Sequence, residues 1–326
     1  MAQCRAALRV VAVGIAAVVW CGCALDVFDS EPVAVEGQFS LEQLWREPAD
    51  LPQRDLFHGI GGAALVPDPR DEFRHLSTKK DPWASSPGYH VRDSRGIKWS
   101  VKLGVEARPE VLVSRLLWAV GYHQPPTYYV PEWVMKKDGK RIRHGEARFR
   151  PLSKRLKPLS HRIEKVGTWS WTDNPFRDTR PFRGLLVLMV LVNNWDLTTQ
   201  NTAVYDLGRR WNGARRWYTV KDLGAAISRN RGALLQGTRG DIEGFAKQGF
   251  IAGVYDGQVR FDWGGPHAEL LEGITPEDVR WVCALLDRLS DRQWEDALRA
   301  AGYGGDEALR LRRTLEQRIA AGRNLT

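Results

Sequence analysis

Runs of apolar and polar residues divide the chain into short elements of recognisable period. Over residues 89–103 the pattern reads strand, turn, strand: Tyr-His-Val, a polar Asp93-Ser-Arg-Gly96, then Ile-Lys-Trp-Ser-Val-Lys-Leu in alternation, with Lys102 at the end of the second strand. Pro109 then opens a predicted helix. Its apolar positions Val111, Leu112, Leu116, Leu117 and Val120 recur at helical spacing, and Gly121 stops it. Residues 128–135 read as a further strand, followed by a basic, loop-rich region. Residues 184–193 form a nearly all-apolar helix, expected at the centre of the core. Two strands, 202–205 and 217–220, flank a polar hairpin loop over 206–216. The tail is helical, with capped starts at Thr275-Pro276-Glu277-Asp278 and Ser290-Asp291-Arg292-Gln293, and Gly302 as a stop.

Composition adds scale and location to this pattern. A chain of 326 residues has room for two lobes, and 43% apolar with 27% charged residues is the balance of a globular protein. Arg5 and Arg9 precede an apolar stretch over 10–24, shorter than the roughly 20 residues of a membrane-spanning helix. Residues 1–24 are therefore expected to be a signal peptide or lipoprotein leader, and the protein to be exported to the periplasm or cell envelope. Cys-Gly-Cys at 21–23 resembles the lipobox of bacterial lipoproteins, although Trp20 and Cys21 depart from it. Lipid anchoring at Cys23 and a plain cut nearby both remain open. Three of the four cysteines lie in this leader, so Cys283 alone cannot build a disulfide framework. Residues 25–54, acidic and Pro-containing, read as a tether or arm, and the fold is expected from 55.

Loss of Arg5 and Arg9 lowers the net charge from +9 to +7. Between Lys136 and Lys165, 12 basic residues face three acids, Asp138, Glu146 and Glu164. That run is either a solvated loop or a surface for a phosphate-rich partner or an anionic membrane. It lacks the aromatic interleaving of a single-strand binder, and nucleic acid is not expected in an exported protein. The seven histidines are scattered without ligand spacing, which gives zinc no support.

Phosphoryl transfer asks for positioned charge: a cation for phosphates, acids for magnesium, and an acid near the incoming hydroxyl. The chain offers these in order. Lys102 ends a strand, Glu110 opens the next helix, Asp196 follows the apolar helix, Asn201 comes five positions later, and Asp222 begins Asp-Leu-Gly after the hairpin. The Asp-to-Asn spacing is that of a kinase catalytic loop.

Residues 85–230 resemble the atypical kinases: HipA-type toxin kinases, phosphatidylinositol kinases and secreted Golgi-type kinases. Val101-Lys102 is similar to their nucleotide lysine. Glu110 with Arg115-Leu-Leu-Trp-Ala-Val-Gly-Tyr122 and Pro125-Pro126 is similar to the HipA-type helix that carries the partner glutamate, with Glu106 a rival for that role. Asn193-Asn-Trp-Asp196 through Asn201 resembles the catalytic loop, and Asp222-Leu-Gly224 the metal-binding motif. No His-Arg precedes Asp196, Leu223 replaces the usual aromatic, and no basic residue stands between Asp196 and Asn201.

The resemblance implies an α+β, two-lobed protein-kinase-like fold, with a sheet-rich N-lobe over 55–136 and a mostly helical C-lobe over 137–326. It implies ATP with Mg2+ or Mn2+: Lys102 and Glu110 steadying phosphates, Asn201 and Asp222 holding metal, and Asp196 facing an unknown protein, lipid or small-molecule acceptor. An exported pseudokinase acting as a binding module and a nucleotidyltransferase on the same fold are the alternatives. Gly59, Gly61 and Gly62 imitate a dinucleotide fingerprint without its strand and helix. They form either a plain glycine turn or one whose N–H groups cover nucleotide phosphates.

Overall fold

The computed structural model describes residues 40–79, 87–152, 155–156, 161–229 and 239–326, so the expected leader and most of the arm lie outside the described residues. The protein is α+β. Its main sheet contains β1 (Glu72–Thr78), β2 (Gly88–Arg92), β3 (Lys98–Leu103), β4 (Tyr128–Val130), β5 (Trp133–Lys137), β6 (Lys140–His144) and β7 (Ala147–Pro151), with α1 (Ala107–Ala119) inserted after β3. The strand order is β4-β7-β3-β2-β1-β5-β6, antiparallel except where β1 runs parallel to β5. A two-stranded piece, β8 (Arg155–Leu156) with β9 (His161–Arg162), leads to β10 (Glu164–Gly167). After α2 (Arg180–Leu191), β10 pairs with β11 (Thr202–Trp211), which pairs with β12 (Ala214–Val220). The remainder is α3 (Ile242–Lys247), the hairpin of β13 (Ile251–Tyr255) and β14 (Gln258–Phe261), and α4 (Pro276–Leu286), α5 (Asp291–Ala300) and α6 (Gly305–Arg323).

Two apolar cores follow from this order. One is helical: α2 is buried along its length and meets α4 and α6 around Leu185, Leu188, Val282, Leu286, Leu315 and Ile319. The caps expected at its edges are present. Thr275 with Asp278 and Ser290 with Gln293 form reciprocal capping boxes, and Gly302 ends α5 with φ 79°. The other core is aromatic and lies on one face of the main sheet, where Phe73, Trp99, Trp133 and Phe149 pack edge to face.

Several elements differ from the sequence expectations. Pro131 divides residues 128–135 into β4 and β5. The region expected as basic loop contains β6 and β7, and β7 lies between β4 and β3, so the sheet continues past residue 136 to Pro151. In β7 the order Ala147-Arg-Phe-Arg alternates small or apolar with basic side chains, which suits a strand whose second face is ionic. The expected loop over 206–216 is mostly strand, closed by Asn212-Gly213 with φ 49° and 85°, the positive values a tight hairpin turn requires. Residues 40–54 are packed: Leu44 and Leu51 are buried, and Trp45 bridges Tyr122. Among the described residues no helix is long and apolar enough to cross a membrane.

Candidate active site

The site is assembled where the end of β3, the first turn of α1 and the open end of the β11–β12 hairpin converge. Lys102 and Glu106 are four residues apart, and Glu110 follows one helical turn later, so the strand end and the helix start present all three to one place. Lys102 reaches Glu106 at 2.5 Å and Glu110 at 3.8 Å. It also donates to both oxygens of Asp222, at 3.0 and 2.9 Å, closing a contact across 120 residues. Glu106 is the nearer helix acid and also pairs with Arg239. Glu110, fully buried, is held by Arg148 at 2.8 Å and Arg150 at 2.6 Å. Arg150 donates in addition to the Lys221 carbonyl at 2.8 Å, tying β7 to the end of β12.

The other acidic groups are placed by backbone. Because Thr202 pairs with Val220, the residues flanking that pair meet: the Asn201 carbonyl accepts from Lys221 N–H at 2.7 Å and from Asp222 N–H at 3.0 Å. The Asn201 amide donates to the Asp196 carbonyl at 3.0 Å, folding the loop back on itself. At its start this loop leaves α2 through Asn193, whose φ is 52° and whose amide donates to Gln248 at 2.9 Å and to the Ser228 carbonyl. Ile227, a β-branched residue at φ 52°, donates its N–H to the Val192 carbonyl at 2.8 Å. A β-branched side chain in the left-handed region is strained, and such strain clusters at functional sites.

Charge within the site is uneven. Burial alone would raise the Asp222 carboxyl, but the charge and hydrogen bonds of Lys102, with Arg148 and the Gly224 N–H, hold it well below the usual carboxylate range. Asp196 moves the other way. Burial raises it and the nearby Asp222 charge adds to the rise, against hydrogen bonds from Asn201 and Thr198. The Asp222 charge thus disfavours ionisation of Asp196, while Asp222 itself stays ionised on Lys102. Among the described residues no cluster of three His, Cys, Asp or Glu is arranged around a metal position.

Lys102, Glu110, Asn201, Asp222 and the Asp196 loop are thus brought together. The glycines have different neighbours. Gly59, at φ 69°, lies against the Arg115 guanidinium, and a Cβ on Gly61 would stand 2.0 Å from the Tyr128 hydroxyl; Gly62 faces open space. Gly59 and Gly61 thus lie against α1 and β4, and their small size has a packing reason there. A cavity of about 280 Å³, lined by Arg46, Asp50, Arg54, Trp118 and His123, shares no residue with the Lys102 cluster. Sequence reading missed Arg148 and Arg150, concealed in a basic run whose alternation was the available signal. Comparison with family models, with curated proteins and with solved structures finds no match to this chain.

Proposed function

We propose that the chain is an atypical kinase-like phosphotransferase that uses ATP with Mg2+ or Mn2+ to phosphorylate a hydroxyl acceptor. One observation carries this reading: Lys102, on the third strand, meets acids at the start of the next helix and the Asp222 of Asp-Leu-Gly. That lysine–acid–acid arrangement is the one kinases use to hold phosphates and metal. The order strand, helix, apolar helix, Asp196 loop, hairpin and Asp222 adds support.

Each residue then has a task. Lys102 neutralises phosphate oxygens, and Glu106 and Glu110 keep it extended. Opening the Lys102–Asp222 pair frees an ammonium for phosphate and a carboxylate for metal, with Asn201 beside it. Bound ATP and its metal supply the activated phosphoryl group and offset its charge. Asp196, whose carboxyl is raised by burial, is the stronger base of the two acids and accepts the proton of the acceptor hydroxyl.

A second reading, an exported pseudokinase serving as a binding module, is favoured by the closed state of the cluster. Both Asp222 oxygens are taken by Lys102, and the Asn201 amide is turned to backbone. The test is metal-dependent ATP binding and turnover by the chain beside Lys102→Ala and Asp222→Ala. Binding lost in both folded variants, with transfer of a γ-label, supports the phosphotransferase; transfer of an α-label instead means nucleotidyl transfer. No binding by the wild type would leave the binding-module reading.

A further inference from the structure

The sheet register collects more positive charge beside Lys102 than nearby acids neutralise. Directly opposed residues share a face, so Gly88 on β2, Lys102 on β3 and Arg148 on β7 lie in one row, and His90, Ser100 and Arg150 in the next. Gly88 has no side chain to fill its place. Lys79 fills it: its N–H donates to the Gly88 carbonyl at 2.9 Å, and its Cδ lies 2.8 Å from where a Gly88 Cβ would stand. From the hairpin side comes Lys221, whose ammonium donates to the Gln200 carbonyl at 3.1 Å.

These cations differ in how they are answered. Arg148 and Arg150 have Glu110, and Lys102 has Glu106 and Asp222. Lys79 and Lys221 have no carboxylate in salt-bridge contact among the described residues, although both are half-buried. Burial and then the charges of Arg148 and Arg150 bring the Lys79 ammonium down to about 7. Folding gains nothing from an ammonium pressed towards guanidiniums, as Lys79 is. An anion supplies the missing charge and accepts charge-assisted hydrogen bonds from all four.

We propose that Lys79, Arg148, Arg150 and Lys221 form an anion subsite beside Lys102 that takes a ligand with linked phosphoryl groups and binds it without a divalent metal. Two residues along a strand span about 7 Å, so the rows of Arg148 and Arg150 reach further than one phosphate. The subsite goes beyond the phosphotransferase reading, which asks only for Lys102. Linked phosphoryl groups belong equally to a nucleotide and to a phosphorylated acceptor, and the test separates the two.

The test is calorimetric titration of the full chain with inorganic triphosphate in EDTA, beside Lys79→Gln, Lys221→Gln and Lys79→Arg. Wild type is expected to bind, each Gln variant to bind at least ten-fold more weakly, and Lys79→Arg to keep most of the affinity. The ligand-free Tm of the Gln variants should equal or exceed that of wild type, because each loses a repelled charge. Absence of saturable binding by wild type, or unchanged affinity in both Gln variants, overturns the proposal. Once the variants locate the anion, displacement by Mg-ATP assigns the subsite to the nucleotide, and simultaneous binding assigns it to the acceptor; both outcomes uphold it. Triphosphate binding without ATP turnover upholds the subsite and ends the phosphotransferase reading, whereas turnover without metal-free triphosphate binding does the reverse.

Discussion

The two faces of the main sheet at β3 are built on opposite rules. On one, Val91, Trp99, Val101, Tyr128 and Phe149 are buried against one another, and any side chain of similar shape would satisfy its neighbours. On the other, Lys102, Arg148 and Arg150 surround Glu110, and each member depends on the charge of the next. The apolar face stabilises by the area it removes from water. The ionic face costs desolvation that its ion pairs offset only while complete. A fold seeking stability alone could make both faces apolar, and the ionic face is the one on which the proposed anion subsite would lie.

Three measurements would break or sharpen that contrast. Phe149→Ala, from the apolar face, should lower unfolding free energy in urea by about 3–5 kcal/mol, with triphosphate affinity of the folded protein unchanged. A loss well under that, or a large change in affinity, would mean that the faces are not separate. Glu110→Gln should cost about 3 kcal/mol, because it leaves buried guanidiniums unanswered. Its Tm should rise more than that of wild type on adding triphosphate, and an equal rise would contradict an anion-seeking face.

The third effect is smaller and depends on pH. Asp222 has a folded-state pKa below its unfolded value of about 4, so its contribution to stability is complete above that value and fades as pH falls through the acid range. Asp222→Asn should therefore be less stable than wild type near neutral pH and show a shallower acid decline. Parallel curves from pH 6 to pH 2 would show that the Lys102 pair does not bear on stability.

Much of the local structure was legible along the chain. The β2–β3 hairpin, α1, α2 and both capping boxes follow from patterns a few residues long and are present, with α1 beginning at Ala107, two residues before Pro109, and α2 spanning Arg180–Leu191 where 184–193 is expected. β7 was not legible as a central strand. Arg148 and Arg150 read as solvent-facing charge, and Glu110, 40 residues away from Arg150, makes their burial tolerable together with the Ser100 and Lys221 carbonyls. The packing of residues 40–54 is hidden for a related reason. Their apolar residues are too few to show a period, yet Leu44 and Leu51 find partners in the helical core.

The order Lys102, Asp196, Asn201 and Asp222 reads as one shared site through its resemblance to kinases, and in the structure Lys102 meets Asp222 while Asn201 joins Asp222 to the Asp196 loop. Which acid lies closest to Lys102 was decided by tertiary structure. Glu106 and Glu110 are a turn apart and equivalent to any periodicity, but Arg148 and Arg150 draw Glu110 towards β7 and leave Glu106 as the nearer partner. Caps and periods act over neighbours in sequence and can be read there; ion pairs in a buried site are set by strand register, which brings together residues that no local pattern connects.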